Sequence, residues 1–168
     1  IGAYASHGQS KTVFVIRSSS HKQASFDGAV LKIRRGYDIE PSVSRVMPRI
    51  APTLYYEGIG KDGDVEYHCW VTERCIPLHR LATLSTCDKN ACVLAACRCI
   101  TMAAEQHNFC LSDCHYFNLG VRISADTGEH KVVIIDVGSR NFAPEKLSKS
   151  MVNEGMKKLW KWTEEELG

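Results

Sequence analysis

Three polar residues in the second half of the chain have types and spacing that could bind a metal ion beside a reactive hydroxyl. Asp113 is followed five residues later by Asn118, and an apolar run then leads to Asp136 in the sequence Asp-Val-Gly. Carboxylate and amide oxygens are hard ligands of the kind that Mg²⁺ prefers. A carboxylate can also accept a hydroxyl proton. Phosphoryl transfer from ATP needs this combination, because it depends on positioning and on charge neutralisation.

A fixed cation for the phosphates is the next requirement, and Lys32 is the candidate. It lies in the β-branched run 29–34, which predicts a strand. An exposed strand lysine would be the ordinary interpretation of Lys32 without the downstream motifs. Glu40, at the start of a short predicted helix, is our candidate for an ion pair that holds Lys32 in place. Glu57 is an alternative partner.

The order of these motifs resembles that of the protein kinases. The resemblance implies that Asp113 is the catalytic Asp, that Asn118 and Asp136 bind Mg²⁺, and that Lys32 grips the α- and β-phosphates of ATP. Glu40 would then pair with Lys32. Each motif also has an interpretation without chemistry: Asp113 and Asn118 could form an Asx turn, and Asp136 could end a strand in a turn.

The segment 6–14 lies where a kinase has its Gly-rich loop, before the first predicted strand. In the family pattern Gly8 takes the place of the middle glycine, and Val13 that of the valine that packs on adenine. Ser6 and Lys11 stand where glycines usually do. Small residues such as Gly8 and Ser10 still let backbone N–H groups approach phosphates, so we expect both to contribute to nucleotide binding. An ordinary Gly/Ser turn is the alternative.

The chain departs from the kinase pattern at several points. Leu111-Ser112 replaces the His-Arg before the catalytic Asp, His115 replaces the usual Lys, and Val137 replaces the Phe of Asp-Phe-Gly. The Ala-Pro-Glu at 143–145 follows Gly138 too closely to leave room for an activation segment. The chain is therefore most similar to the minimal kinases among secreted bacterial effectors. That similarity implies low activity alone and activation by host partners, including ubiquitin-conjugating enzymes.

The predicted elements place strands before helices. The pattern predicts strands at 12–17, 29–34, 53–56, 66–72, 119–123 and 131–136, and helices at 40–47, 89–107 and 145–166. This order is typical of an α+β protein. We expect a single minimal kinase domain, with a small antiparallel-sheet N-lobe at about 1–76 and an abbreviated helical C-lobe at 77–168.

Composition limits the function classes. The net charge of the 168-residue chain is only +2, which gives no reason to expect a nucleic-acid or membrane partner. Eight cysteines lie between Cys69 and Cys114 without a Cys-x-x-Cys pair, so we expect free thiols and a cytoplasmic location, the host cytoplasm for a secreted effector. A metal site or a disulfide framework is the alternative. The start at Ile1 leads us to expect a trimmed piece of a longer protein.

Three functions remain open at this point. The first is a Ser/Thr protein kinase that uses ATP and Mg²⁺ on a protein substrate. The second is a pseudokinase, a nucleotide-binding or scaffolding module, which the degenerate Gly-rich loop favours. The third is a small-molecule kinase, which would also lack an activation segment. Retention of Lys32, Asp113, Asn118 and Asp136 favours the first.

Overall fold

The protein is α+β, and the strands in the described part of the chain form two antiparallel sheets. The structure, a computed structural model, describes residues 4–7, 11–17, 28–83, 89–107, 118–123, 127 and 130–136 and the single positions 153, 154, 157 and 161. The strands within these residues are β1 (Tyr4–His7), β2 (Thr12–Val15), β3 (Val30–Arg35), β4 (Leu54–Asp62), β5 (Val65–Thr72), β6 (Ile76–Pro77), β7 (Leu119–Ile123) and β8 (His130–Ile134). The helices there are α1 (Glu40–Val46), a 3₁₀ helix (Leu78–Thr83) and α2 (Lys89–His107).

The first sheet has five strands in the order β1-β2-β3-β5-β4. Strands β1, β2 and β3 pair in sequence order, and β4 pairs with β5. Helix α1 lies between β3 and β4 in the sequence, and β3 pairs with β5. The turn between β4 and β5 needs Gly63, whose φ of 58° lies in the left-handed region that side chains with a Cβ disfavour. The insertion of α1 after β3 brings a helix onto the face of this sheet that carries Lys32.

The second sheet has three strands in the order β6-β7-β8. Helix α2 packs against β8, and its buried residues recur at the three- and four-residue spacing of an amphipathic helix. One apolar core joins α1, α2, β7 and β8. Its fully or almost fully buried members include Val43, Met47, Ile50, Leu78, Cys92, Ala96, Cys99, Ile100, Leu119, Val121, Val132 and Ile134.

Hydrogen bonds connect the segment after α1 to the second sheet. The Ile134 amide donates to the Ile50 carbonyl at 2.7 Å, and the Arg122 guanidinium donates to the Ala51 carbonyl at 2.9 Å. Arg122 also pairs with Glu73, which lies just after β5. The end of β8 is therefore fixed relative to α1 and to the first sheet.

Several predicted elements are confirmed. Helix α2 has the predicted bounds, and α1 begins at Glu40 with Pro41 in its first turn, where the missing N–H of proline costs no hydrogen bond. The apolar run that precedes Asp136 is buried, as expected, with Val133 completely inaccessible. None of the helices in the described part of the chain has the length and apolarity needed to cross a membrane.

Two predictions about the first sheet are wrong. The strand at 12–17 is not the first, because β1 precedes it and pairs with β2. Strand β4 is also longer than 53–56: it continues through Gly60 to Asp62, so the turn falls at Gly63 and Asp64. Pairing with β5 outweighs the turn propensity of the glycines, since the opposite residues Lys61 and Glu66 form an ion pair of 3.0 Å.

Candidate functional site

One face of the first sheet carries a row of residues that lie opposite one another on adjacent strands. Val13 on β2 is opposite Lys32 on β3, Lys32 is opposite Trp70 on β5, and Trp70 is opposite Glu57 on β4. Directly opposite residues share a face of the sheet. His68, two positions before Trp70, therefore lies on the same face, which is the face that packs against the start of α1.

Lys32 is buried rather than exposed, with 7% of its surface accessible. Its ammonium donates to Glu40 Oε1, and Glu40 is completely buried at the first residue of α1. The same ammonium donates to the Ile135 carbonyl at 3.0 Å. The predicted Lys32–Glu40 ion pair is therefore confirmed, and the interpretation of Lys32 as an exposed strand lysine is wrong.

Asp38 fixes the start of α1 and so positions Glu40. The Asp38 carboxylate accepts a hydrogen bond of 2.9 Å from the Glu40 amide, which helix geometry leaves without an intrahelical partner. The carboxylate also accepts a hydrogen bond of 2.9 Å from Arg34. The Asp38 amide donates to His68 Nδ1 at 3.0 Å. Strands β3 and β5 thus hold the backbone that presents Glu40 to Lys32.

Glu57, the alternative partner of Lys32, is engaged elsewhere. Its carboxylate pairs with Arg45 of α1 and lies 2.9 Å from His68 Nε2. Because His68 Nδ1 accepts a hydrogen bond, Nε2 carries the proton in the neutral ring and donates to Glu57. Glu57 therefore holds α1 and His68 together and is not the partner of Lys32.

Lys11 completes the cluster, and it was not expected as a site residue. Its ammonium lies 2.6 Å from Glu40 Oε2 and 2.7 Å from Asp136 Oδ1, with only 9% of the side chain exposed. It also lies over the Trp70 ring, 5.8 Å from the centroid. Glu40 therefore binds two lysines, one on each oxygen, and Lys11 bridges Glu40 to Asp136.

The cluster holds two cations and two carboxylates, and its charges stabilise one another. Burial lowers the pKa of the Lys11 ammonium, but the carboxylates of Glu40 and Asp136 outweigh this and raise that pKa above its usual value. Burial raises the pKa of Asp136, but the neighbouring Lys11 ammonium, with a smaller contribution from Lys32, outweighs burial and lowers this pKa below its usual value. Lys11 and Asp136 therefore both stay charged at neutral pH.

Asn118 and Asp136 lie at the same end of the β7–β8 ladder. Asn118 precedes β7, Asp136 follows β8, and the Ile135 amide donates to the Asn118 carbonyl at 2.9 Å. The Asp136 side chain is 46% exposed, so a ligand can reach it. The structure thus brings the two predicted metal ligands together, along with Lys32 and Glu40.

The chemistry of this end of the ladder fits Mg²⁺. No three His, Cys, Asp or Glu side chains gather as a ready-made metal site within the described ranges. Mg²⁺ does not need such a cage, because it commonly keeps several waters and binds one or two carboxylates plus substrate phosphates. The Lys11 ammonium pairs with Asp136 Oδ1, so the Asp136 carboxylate already holds one cation.

Three predicted site residues, Gly8, Ser10 and Asp113, lie outside the described residues. Val13 is described and is the neighbour of Lys32 on the sheet face. The placement of the predicted nucleotide-binding loop is described only at its ends: His7 closes β1, and Lys11 precedes β2.

Sequence reasoning missed Lys11, Asp38 and His68. Asp38 had a usable signal, because an Asp two residues before a Pro-containing helix start is well placed to accept an early helical N–H. Lys11 and His68 had none, since their roles depend on strand pairings between distant segments. Lys11 was noted only as a residue in the place of a glycine.

A separate apolar pocket lies against α1. It has a volume of about 290 Å³ and is lined by Ile39, Ser42, Val43, Val46, Met47 and His107. None of the four residues of the ionic cluster lines this pocket. The polar site and the apolar pocket therefore lie on different parts of the α1 surface.

Comparisons with known proteins do not identify the chain. No protein-family model matches it, and no curated protein matches it. The residues themselves therefore carry the functional argument.

Proposed function

We propose that this chain is a minimal protein kinase that transfers the γ-phosphoryl group of ATP to a Ser or Thr hydroxyl of a protein. One observation carries the proposal: β3, α1 and the end of β8 meet in a single cluster formed by Lys32, Glu40, Lys11 and Asp136. In protein kinases, a Lys on β3, a Glu on the following helix and the Asp of Asp-Phe-Gly are the parts that must come together.

Lys32 is the proposed phosphate-binding cation. Glu40 accepts a hydrogen bond from its ammonium, and the Ile135 carbonyl accepts another, so the ammonium is held at a defined position beside Asp136. Val13, opposite Lys32 on the sheet, is the residue proposed to pack on the nucleotide base. A cation fixed in this way neutralises phosphate charge without reorganising during the reaction.

Asn118 and Asp136 are the residues that would hold Mg²⁺, which supplies charge neutralisation at the phosphates when it is bound. Asp113 is the proposed general base or hydroxyl-orienting residue, five positions before Asn118. This role of Asp113 is proposed from the order of the sequence motifs alone.

A second candidate function is a nucleotide-binding or scaffolding module without catalysis. The observation that favours it is the ion pair between Lys11 and Asp136, because an ammonium on this carboxylate takes the place of a metal ion. This module would bind nucleotide with the same Lys32, Glu40 and Val13 as the kinase but would not catalyse phosphoryl transfer.

The proposed partners are a protein substrate and an activating protein. The resemblance to minimal effector kinases supports a ubiquitin-conjugating enzyme as one class of activator. The same resemblance supports the proposal of a cytoplasmic location. The free thiols of Cys69, Cys75, Cys92, Cys97 and Cys99 are consistent with a reducing compartment.

The test is incubation with γ-labelled ATP and Mg²⁺, with and without cell lysate, for the parent chain and for Asp113→Ala. We expect label on Ser or Thr with the parent chain and loss of labelling with the variant, while both bind ATP with similar affinity. Binding of ATP without any labelling would support the module instead. Phosphorylation of small molecules from the lysate in place of proteins would support a small-molecule kinase.

A further inference from the structure

Lys11 contacts both carboxylates of the cluster, and one of them is the proposed metal ligand Asp136. We propose that Lys11 is an internal cation that occupies Asp136 in the nucleotide-free protein and competes with Mg²⁺ for this carboxylate. This inference rests on the proposed function, because it concerns the same nucleotide and metal site. It assigns to Lys11 a role that the motif order does not give to this position.

The distances show why the two cations exclude each other. The Lys11 ammonium lies 2.7 Å from Asp136 Oδ1, which is a direct ion pair. A divalent ion bound to the same carboxylate would lie within a few ångströms of this ammonium, and like charges at that separation repel strongly in a partly buried site. Mg²⁺ therefore binds Asp136 only when Lys11 moves away.

The charge balance supports the same conclusion. Lys11 and Lys32 contribute two positive charges, and Glu40 and Asp136 contribute two negative charges. The cluster is therefore neutral while Lys11 is in place. Without the Lys11 charge it carries one net negative charge, which attracts a divalent ion.

Lys11 can leave without loss of the Lys32–Glu40 pair. Lys32 lies within β3, is paired with strands on both sides and holds the other oxygen of Glu40. Lys11 precedes Thr12, the first residue of β2, and lies outside the strand ladder. Its contact with Asp136 thus joins the start of β2 to the end of β8 only in the state without metal.

The experiment measures the Mg²⁺ requirement of nucleotide binding, with a fluorescent, non-hydrolysable ATP analogue as the probe. Mg²⁺ is titrated against the parent chain, Lys11→Gln and Lys11→Met. Lys11→Met keeps an unbranched side chain over Trp70, and circular dichroism verifies the fold of each variant. Lys61→Gln is the matched control, because it removes the same charge from the exposed pair that Lys61 on β4 forms with Glu66 on β5.

We expect removal of the Lys11 charge to lower the half-saturating Mg²⁺ concentration by about fivefold or more, as for two mutually exclusive ligands of one site. Lys61→Gln should behave as the parent chain. An unchanged or higher Mg²⁺ requirement in both Lys11 variants would overturn the inference while leaving the proposed function intact. Failure of the parent chain to bind the nucleotide at any Mg²⁺ concentration would overturn both.

Discussion

Helices α1 and α2 both contribute to the shared apolar core, but α1 adds buried ionic contacts to its apolar ones. Helix α1 buries Glu40 against Lys32 and joins the first sheet through the Arg45–Glu57 pair. Helix α2 buries apolar side chains and cysteines against the second sheet. Its buried residues include Cys92, Val93, Ala96, Cys99, Ile100 and Ala103.

The additional ionic contacts of α1 coincide with the proposed functional site. Burying charges costs desolvation energy, and a buried ion pair often stabilises a fold no better than apolar residues of similar size. Helix α2 shows that this chain can anchor a helix mainly with apolar contacts. The additional ionic contacts of α1, beside the half-exposed Asp136, are therefore the part of the fold in which the proposed ligand site lies.

The largest effect expected from breaking the ionic region is at Glu40. Glu40→Ala leaves the ammonium groups of Lys11 and Lys32 without their shared carboxylate, and loss of one partner of a buried charge cluster costs about 4 kcal/mol. Glu66→Ala, in the exposed pair with Lys61, should cost about 1 kcal/mol or less. Urea unfolding measures both, and equal losses would show that the cluster is no stronger than a surface pair.

The matching change in the apolar region is Ile100→Ala. Ile100 is 4% exposed on α2, so its truncation leaves a cavity and should lower the free energy of unfolding by about 3 kcal/mol. Nucleotide affinity of the folded variant should stay at the parental value, since Ile100 does not belong to the ionic cluster. Loss of affinity in the folded variant would mean that the two regions are not separable in this way.

The next effect concerns ligand binding without a large loss of stability. Asp136→Ala should abolish the Mg²⁺-dependent part of the thermal shift caused by ATP and should lower phosphoryl transfer by about a hundredfold or more. The half-exposed position of Asp136 limits the cost to the fold. Asp62→Ala, at the far end of β4, is the control. An undiminished Mg²⁺ effect in Asp136→Ala would remove this residue from the metal site.

The smallest effect is expected at two thiols, Cys75 between β5 and β6 and Cys99 on α2. Burial and the nearby Glu73 raise the pKa of Cys75 to about 12, and burial raises the pKa of Cys99 to about 12. Both thiols therefore stay protonated at pH 8, and thiolate forms only as the pH approaches 12. Iodoacetamide at pH 8 should leave both unlabelled in the native protein. Mass spectrometry after denaturation should find all eight cysteines labelled, and recovery of disulfides instead would contradict the proposed reducing compartment.

The sequence was sufficient to predict those elements whose signals lie within a few consecutive residues. The apolar spacing of α2 predicts its bounds, and Pro41 marks the start of α1. The Lys32–Glu40 pair was also predicted correctly, from the resemblance to the kinase pattern in which a Glu on the next helix holds the strand lysine. Glu57, the alternative partner, lies on β4 in the same sheet row and pairs with Arg45 and His68 instead.

What could not be predicted depends on long-range pairing. Strand β1 is short and polar, and it is recognisable only by its ladder with β2. Lys11 reaches Asp136 across 125 positions of sequence because β2, β3 and the end of β8 are brought together, and no local pattern records that approach. His68 is a similar case. A histidine within an otherwise ordinary strand gives no sign that it accepts a hydrogen bond from the Asp38 amide.

The Ile134 amide donates a hydrogen bond to the Ile50 carbonyl, so the exchange of its proton reports on the contact between β8 and the segment after α1. Exchange of that amide with deuterium requires the segment after α1 to separate from β8, because both groups are buried in the shared core. Slow exchange at Ile134 would therefore measure how rarely the two halves part. Its rate with and without nucleotide would show whether ligand binding holds them together.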